Sequence, residues 1–259
     1  MLARLGTFLL LTLAAPLPSQ SPATTSELTA EKLVDQLVAN AALYHTTLPS
    51  LTASEAIVSD HAFLGFNRHT EAQATFRALQ SPTAARLDES RQITQLNGKP
   101  VPPDQHPHLP FTLFGGFGRF QDMFFTAKRR ACFTFTLVPQ TNPGSPLELH
   151  ITPSPSIATM PECELGLQGL TGIARVDPAS HQLTHLERTI PVDVAAKSNH
   201  ASFASVDSAP TQVGDQSFWL PIVVIGRMDS GKAKGQFTAH YSNYRRFTST
   251  ATLLPTTPE

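Results

Sequence analysis

The sequence predicts a mainly β fold with one long N-terminal helix, on three observations. Apolar residues recur at helical spacing in one stretch, between Thr29 and Tyr44. From about Ser54 onward, short runs rich in Val, Ile, Thr and Phe alternate with Pro, Gly and Asn turn signals. The chain has 259 residues, 41% of them hydrophobic, which is enough for one all-β domain or two small ones. Since no linker divides it, we predict a single domain over residues 29–255.

The first residues have the pattern of a secretory signal peptide. Met1 to Arg4 carries one arginine, Phe8 to Leu13 is an apolar core, and the apolar stretch ends at Ala15. This stretch is shorter than the roughly 20 residues of a membrane span. We therefore expect a signal peptide over residues 1–20, cut between about residues 14 and 23, and a flexible leader over residues 21–28; the alternative is a buried N-terminal helix. The mature protein is predicted to be periplasmic or secreted and not an integral membrane protein.

The predicted helix begins after Thr29, whose hydroxyl can cap the first turn. Glu31 favours the positive end of the helix, and Pro49 stops its continuation. The apolar positions follow a period of 3.6 and define one buried face: Leu33, Val34, Leu37, Val38, Ala41 and Tyr44.

Several strands are predicted from local pattern. Residues 133–137 alternate Phe and Leu with Thr, as in a strand with one apolar face. Asn97-Gly98 supplies the positive φ angles of a type I′ hairpin turn. Gly169 to Val176 and Leu183 to Thr189 flank the turn-rich Asp177-Pro178-Ala179-Ser180 and are expected to pair as a hairpin.

The C-terminal strands are less regular. Phe218 to Ile225 is densely apolar but contains Pro221, which lacks a ladder donor, so we predict an edge or bulged strand. Gln236 to Phe247 alternates apolar and polar residues, and a last strand, Thr248 to Leu254, is expected after it.

Residues 100–118 are expected to form a long irregular loop, because Pro102, Pro103, Pro107 and Pro110 and three glycines disfavour regular pairing. The loop and the residues after it are unusually aromatic, so the segment either packs over the core or covers a cavity. Its aromatic side chains are Phe111, Phe114, Phe117, Phe120, Phe124 and Phe125.

Charge and cysteine content narrow the function classes. The formal net charge of −1 provides no field for nucleic acid, so no nucleic-acid partner is expected. In an exported chain, Cys132 and Cys163 are predicted to form a disulfide; the alternative is two buried thiols.

The sequence contains no strong catalytic motif. The sequence has no G-x-S-x-G motif, and no nucleophile can be named together with a base and an orienting partner. His106 and His108, with Asp104 as the nearest third ligand, are the basis of an alternative metal-assisted hydrolase hypothesis. We otherwise expect no metal, no cofactor and no enzymatic activity.

Five segments carry a resemblance to known proteins: residues 48–51, 169–177, 183–187 and 218–221, and the run Tyr-Ser-Asn-Tyr-Arg-Arg-Phe at residues 241–247. In these the chain resembles a family of uncharacterised secreted acidobacterial proteins, over most of the mature chain. The order of helix and strands also resembles periplasmic lipoprotein carriers of the LolA type, at the level of fold. This second resemblance implies a curved, antiparallel, incomplete β-barrel that wraps the N-terminal helix and encloses an apolar cavity for lipid acyl chains.

The leading functional hypothesis is a periplasmic or secreted, non-enzymatic carrier of an apolar ligand, such as a lipid or a lipoprotein acyl chain. The loop after Pro110 is its expected lid. An alternative is a cell-envelope protein that docks a protein partner through a Trp219 edge and residues 241–247. The aromatic and basic residues of 241–247 could also bind a sugar or an anionic headgroup, or they could simply pack against neighbouring strands. The candidate ligand-binding residues are Phe111, Phe114, Phe117, Phe120, Trp219, Tyr241 and Tyr244.

Overall fold

The computed structural model describes residues 28–81, 87–142, 144–161, 163, 169–190 and 201–247. The predicted signal peptide and the last predicted strand lie outside these residues. The helices are α1 (Ala30–Thr47), α2 (Arg119–Asp122) and two 3-10 turns (Arg130–Cys132 and Ile157–Thr159). The strands are β1 (Leu51–Phe63), β2 (Phe66–Gln80), β3 (Leu87–Leu96), β4 (Lys99–Pro100), β5 (Phe133–Val138), β6 (Leu147–Pro153), β7 (Thr171–Val176), β8 (Leu183–Ile190), β9 (Ala201–Val213), β10 (Gln216–Asp229) and β11 (Ala233–Arg246).

Helix α1 has the predicted start. The Thr29 side chain accepts a hydrogen bond from the Lys32 backbone N–H at 3.3 Å, which satisfies one of the free donors of the first turn. Its buried residues are the predicted apolar positions Leu33, Val34, Leu37 and Ala41. The predicted helix is thus confirmed, and it packs into the same hydrophobic core as the strands. Among the described residues, no helix combines the length and the apolar character needed to cross a membrane.

The described strands form one antiparallel sheet in the order β4-β3-β2-β1-β11-β10-β9-β8-β7-β6-β5. Neighbours in the sheet are neighbours in the chain, except where β1 pairs with β11 and so joins the two ends of the domain. The outermost strands β4 and β5 do not pair with each other, so the sheet stays open. The predicted mainly β fold, an incomplete barrel with one N-terminal helix, is confirmed.

Local turn predictions are confirmed. Asn97 and Gly98 have φ angles of 47° and 76°, as the hairpin between β3 and β4 requires. Strands β7 and β8 pair around the predicted turn, where the Asp177 carboxylate accepts hydrogen bonds from the backbone N–H groups of Ala179 and Ser180. The alternation in β5 and β11 places their apolar residues on the buried side.

Pro221 lies in a bulged strand, which is one of the two predicted alternatives. Its strand β10 lies between β9 and β11 and is therefore interior, whereas the alternatives drawn from the sequence were an edge or a bulged strand. The register with β9 shifts between Pro221 and Val223, which is the bulge. A residue in a bulge leaves the regular ladder, so proline's missing donor is tolerated there. The Pro221 carbonyl accepts a hydrogen bond from the Tyr244 hydroxyl.

The predicted disulfide is confirmed. Cys132 ends a 3-10 turn directly before β5, and Cys163 follows the second 3-10 turn after β6. The bridge joins two residues 31 positions apart in sequence, with a Cα–Cα distance of 5.7 Å. It therefore ties the edge strand β5 to the connection that follows β6.

Residues 101–132, called the crossing segment here, lead from edge strand β4 to the opposite edge strand β5. As predicted, its first part contains no regular strand or helix up to Gly118. The segment packs its aromatic rings into the core: Phe117, Phe124 and Phe125 are at most 1% exposed. The Phe117 ring stacks on Phe76 of β2 at a centroid distance of 4.6 Å. The crossing segment thus covers the inner face of the open sheet.

The end of α1 is held to α2 by a part-buried pair. His45 Nε2 lies 2.7 Å from Asp122 Oδ1. This hydrogen bond raises the pKa of His45 above its usual 6.5, although partial burial acts in the opposite direction. The folded protein therefore binds this proton more tightly than the unfolded chain does. The resulting stabilisation is complete below the unfolded pKa and disappears as the pH rises through the raised folded pKa.

Replacing Asp122 with Asn is accordingly expected to reduce the free energy of unfolding more at about pH 5.5 than at about pH 8.5. Urea unfolding at both pH values measures the difference. In a His45→Gln background the same substitution should show no such pH dependence, because the titrating group is gone. Equal losses at both pH values would contradict the assignment.

Candidate functional site

Two cavities lie against the sheet. The smaller has a volume of about 50 Å³ and lies between α1, the crossing segment and strands β8 to β10. The larger has about 780 Å³ and lies at the end of the sheet near the β1–β2 hairpin. Small-molecule sites in proteins usually measure roughly 300–1,000 Å³. Only the larger of these two cavities has the size of a ligand site.

The larger cavity is built on one transverse row of residues. Directly opposed residues in an antiparallel sheet point to the same face, and the register aligns one residue from each of six strands. All six line the cavity. Gly235 belongs to the buried alternation of β11, which puts the row on the inner face. This mouth row consists of Arg68, His61, Gly235, Met228, Ser202 and Ile190.

One step further into the sheet lies a second transverse row, defined by the same strand register. Four of its side chains are at most 1% exposed, namely those of Thr70, Ser59, Phe237 and Ala204. Gly226 and Arg188 complete it. None of these six inner-row residues lines the larger cavity.

The crossing segment packs against the inner face of the sheet beside the mouth row through Phe111 and Leu113, called the plug here. A Cβ atom on Gly235 would lie 2.7 Å from the Phe111 ring, and one on Gly226 would lie 3.2 Å from Leu113 Cδ2. These glycines are therefore required for the close approach of the plug to the sheet. The backbone of Phe111 is held by Ser59, whose hydroxyl donates to the carbonyl at 2.6 Å and accepts from the N–H at 3.0 Å.

A buried ion pair anchors the plug from the other side. Arg91 on β3 donates from Nε and Nη2 to the two carboxylate oxygens of Glu55, both at 2.5 Å. The Glu55 side chain is fully buried and accepts a further hydrogen bond from the Tyr241 hydroxyl at 2.7 Å. Arg91 also donates to the Thr112 hydroxyl at 2.8 Å, which connects the network to the crossing segment.

A second carboxylate holds the glycine-rich part of the crossing segment. Glu89 accepts hydrogen bonds from the backbone N–H groups of Gly115 at 2.6 Å and Phe117 at 3.2 Å. Burial raises the pKa of Glu89, although both N–H donors act to lower it. The predicted loop is therefore held to the sheet by hydrogen bonds from side chains of β1 and β3.

The predicted ligand-binding residues separate into different environments. Phe117, Phe120 and Trp219 line the smaller cavity. Phe111 belongs to the plug, and Phe114 is 49% exposed, with the Arg91 guanidinium 4.5 Å from its ring centre.

The two predicted tyrosines line neither cavity. Tyr241 is 7% exposed and donates to Glu55, whereas Tyr244 donates to the Pro221 carbonyl. The proposed Trp219 edge does not exist as an edge, because β10 is interior. A docking surface built on these residues therefore has little exposed aromatic area.

The sequence did not predict the mouth row, because this row depends on the register of six strands. The one available signal was glycine inside strands, at Gly226 and Gly235, which commonly marks a close approach of another group.

The rim of the larger cavity carries exposed apolar side chains. The β1–β2 hairpin continues directly from the lining residues Ala62 and Asn67. At its tip Phe63, Leu64 and Phe66 are 47%, 65% and 81% exposed. These side chains extend the apolar surface of the cavity beyond its mouth.

The hydrolase hypothesis has no supporting geometry. His106 and His108 are exposed in the crossing segment. Among the residues that the structure describes, no group of three or more His, Cys, Asp or Glu side chains is placed to hold a metal ion.

Comparisons with known proteins give only a likeness of fold. No protein-family model matches the sequence, and no curated protein matches it significantly. Solved structures similar to this chain include a Vibrio parahaemolyticus domain whose name assigns it to outer membrane lipoprotein sorting, with a TM-score of 0.40, covering 86% of this chain and 95% of that one. A LolA superfamily protein from Nitrosomonas europaea has a TM-score of 0.36, and a DUF1329 family protein from Desulfovibrio piger has 0.39; each covers 86% of this chain and 96% of its own.

All three structures are 10% identical to this chain. The acidobacterial resemblance stays a prediction. These structures include a LolA superfamily protein, in line with the predicted likeness to LolA-type proteins.

Proposed function

We propose that this protein is an exported, non-enzymatic binding or carrier protein for an apolar, lipid-like ligand. The observation that carries this proposal is the cavity of about 780 Å³ on the mouth row. Its volume falls within the range of small-molecule sites. No constellation of nucleophile, base and orienting group accompanies it among the residues described, so binding rather than catalysis is the function that the cavity supports best.

The walls of the cavity suit an acyl chain. Ile190, Met228, Ala62 and Phe203 provide apolar surface, and charged side chains such as Arg227 and Lys234 stand beside it. Methionine adapts to irregular ligand shapes because its side chain is unbranched and flexible. Burying a chain against such a surface stabilises the complex by about 25 cal/mol for each Å² of apolar area removed from water.

The plug is the lid in this proposal. Phe111 and Leu113 lie against Gly235 and Gly226, where the sheet presents backbone instead of side chains. Opening of the plug would uncover Gly235, which lines the cavity. This role differs from a lid formed by Phe114 and Phe117, because Phe117 is a core residue only 1% exposed.

The first test is native mass spectrometry of the purified mature protein, followed by lipid extraction after unfolding. A copurified lipid, released only on unfolding, is the expected result. Binding of the neutral fluorescent probe N-phenyl-1-naphthylamine provides the quantitative assay, independent of any copurified molecule.

Replacing Ser202 with Trp is expected to weaken binding of this probe about tenfold or more. The indole would fill part of the cavity, since Ser202 is a mouth-row residue. Fluorescence titration measures the dissociation constant.

The matched control is Ser242→Trp on β11, an exposed serine that lines neither cavity. This variant should bind like the unmodified protein. Equal affinities of both variants and the parent protein would remove the cavity from the proposal.

A further inference from the structure

The hairpin between β1 and β2 ends in an exposed group of three side chains, Phe63, Leu64 and Phe66, called the apolar tip here. Phe63 and Phe66 are directly opposed in the strand register, so both side chains point to the same face of the hairpin. A Cβ atom on Gly65, in the turn itself, would meet no atom within 4 Å beyond its chain neighbours. The apolar tip therefore projects from the end of the sheet into open space.

Leu64 occupies a backbone position that does not favour leucine. Its φ angle is 46°, in the left-handed region, and Gly65 follows with 87°. The hairpin between β3 and β4 makes a two-residue turn of the same kind with Asn97, at 47°, and Gly98. Asparagine suits such a turn because its short polar side chain tolerates a positive φ, whereas a leucine there is strained. A strained apolar side chain that is also exposed to water adds nothing to the fold, so it is explained by a contact outside it.

Positively charged residues lie beside the apolar tip. The turn between β10 and β11 is its direct neighbour, because the Leu64 backbone N–H donates to the Lys232 carbonyl at 3.3 Å. The two stretches at this end of the sheet, residues 61–69 and 230–234, contain no carboxylate. Their cations are Arg68, Lys232 and Lys234.

The carboxylates nearest along the chain have partners of their own. Asp60 and Glu71 both contact His69, and Asp229 pairs with Lys234 at 3.2 Å. Within the described ranges, no carboxylate forms an ion pair with the two remaining cations, Arg68 and Lys232. Both are exposed. They are therefore available to an anionic surface that the apolar tip approaches.

An apolar tip beside free cations matches the surface of a membrane that contains anionic lipids. Apolar side chains enter the boundary between headgroups and acyl chains, while Arg and Lys stay with the lipid phosphates. A second copy of this chain fits less well. A buried aromatic side chain covers about 150–250 Å², so three side chains at a turn provide less than the roughly 800 Å² per partner of a stable protein interface. A bilayer requires no partner surface of matching shape.

We propose that the apolar tip inserts into the surface of a membrane containing anionic phospholipids, with Arg68 and Lys232 at the level of the headgroups. This inference goes beyond the proposed carrier function and does not depend on it. Three side chains bury little area, so the docking is shallow and reversible. Docking would also bring the larger cavity to the membrane surface, because its lining residues Ala62 and Asn67 directly precede and follow the tip.

The test is cosedimentation of the full-length mature protein with two kinds of vesicle. One consists of phosphatidylcholine alone, and the other of phosphatidylcholine and phosphatidylglycerol in equal parts. The protein is expected to bind the mixed vesicles about tenfold or more tightly, as two cations near an anionic surface predict. Added salt should reduce this preference, because it screens the attraction.

Leu64→Asn separates membrane docking from a structural role. It should weaken binding to the mixed vesicles about fivefold or more, because a leucine side chain no longer leaves water. In urea it should unfold at the same or a higher concentration than the parent, because Asn suits the turn. Adding Phe66→Ser should abolish detectable binding. Leu43→Gln is the matched control, since Leu43 on α1 is 59% exposed, and it should bind like the parent.

A second pair of variants tests the cations. Lys232→Gln should reduce the preference for the mixed vesicles about fivefold. Lys128→Gln, which removes an exposed lysine of the crossing segment, should keep the preference of the parent.

Three results would overturn the inference. The parent binds neither kind of vesicle, or the variant Leu64→Asn, Phe66→Ser binds as the parent does. The third is a parent protein that forms dimers in sedimentation velocity which the same double variant abolishes, because the apolar tip would then serve a second copy. None of these results bears on the carrier function, which the titration with N-phenyl-1-naphthylamine tests separately.

Discussion

Replacing Arg91 with Met is expected to lower the free energy of unfolding by about 3–5 kcal/mol. The substitution leaves the Glu55 carboxylate, which is fully buried, without its cationic partner. The hydrogen bond from Tyr241 remains but provides no charge. The loss of the contact with Thr112 also frees one side of the plug. Urea unfolding followed by circular dichroism measures the change.

The double variant Glu55→Gln, Arg91→Met is the decisive control for this explanation. It removes the charge that Arg91→Met leaves unpaired, so it should be more stable than Arg91→Met alone. Arg175→Met, which breaks an exposed pair, should change stability far less. The role of the ion pair would be contradicted if the double variant lost as much stability as the single variants Glu55→Gln and Arg91→Met lose together.

Replacing Cys132 and Cys163 together with Ala is expected to reduce the free energy of unfolding by about 3–4 kcal/mol. The estimate follows from the chain entropy that a closed loop removes from the unfolded state, for residues 31 positions apart. The edge strand β5 has a paired strand on one side only, so it depends on this covalent connection more than an interior strand would. Thermal and urea unfolding of the oxidised parent and the double variant give the difference.

Reduction of the parent protein provides an independent measurement of the same effect. The reduced parent and the Cys-free variant should unfold at similar urea concentrations, both below the oxidised parent. If the Cys-free variant matches the oxidised parent, the bridge does not contribute to the stability of the fold.

Local chemistry made much of the fold predictable. Thr29 marked the start of α1 because a side-chain cap acts within one helical turn. Asn97-Gly98 marked a hairpin because its positive φ angles depend on only two residues. The period-two pattern of residues 133–137 identified β5 and its buried face. The disulfide followed from having two cysteines in a chain predicted to be exported.

The candidate site was less accessible to prediction. The sequence indicated an aromatic cover after Pro110, and Phe111 does lie over the inner face of the sheet. It did not separate Phe111, which packs against Gly235 of the mouth row, from Phe117, which belongs to the core, because both occur in the same irregular segment. Their environments depend on which strand residues lie opposite them.

The sequence by itself determined the fold class, the helix, most turns and the cysteine pair, since each depends on neighbouring residues or on composition. The tertiary structure decided that β1 pairs with β11, that Pro221 occupies an interior bulge, and that Gly235 lines the larger cavity. The physical reason is register. A shift of one residue moves every side chain of a strand to the opposite face, and register is set by contacts between distant parts of the chain.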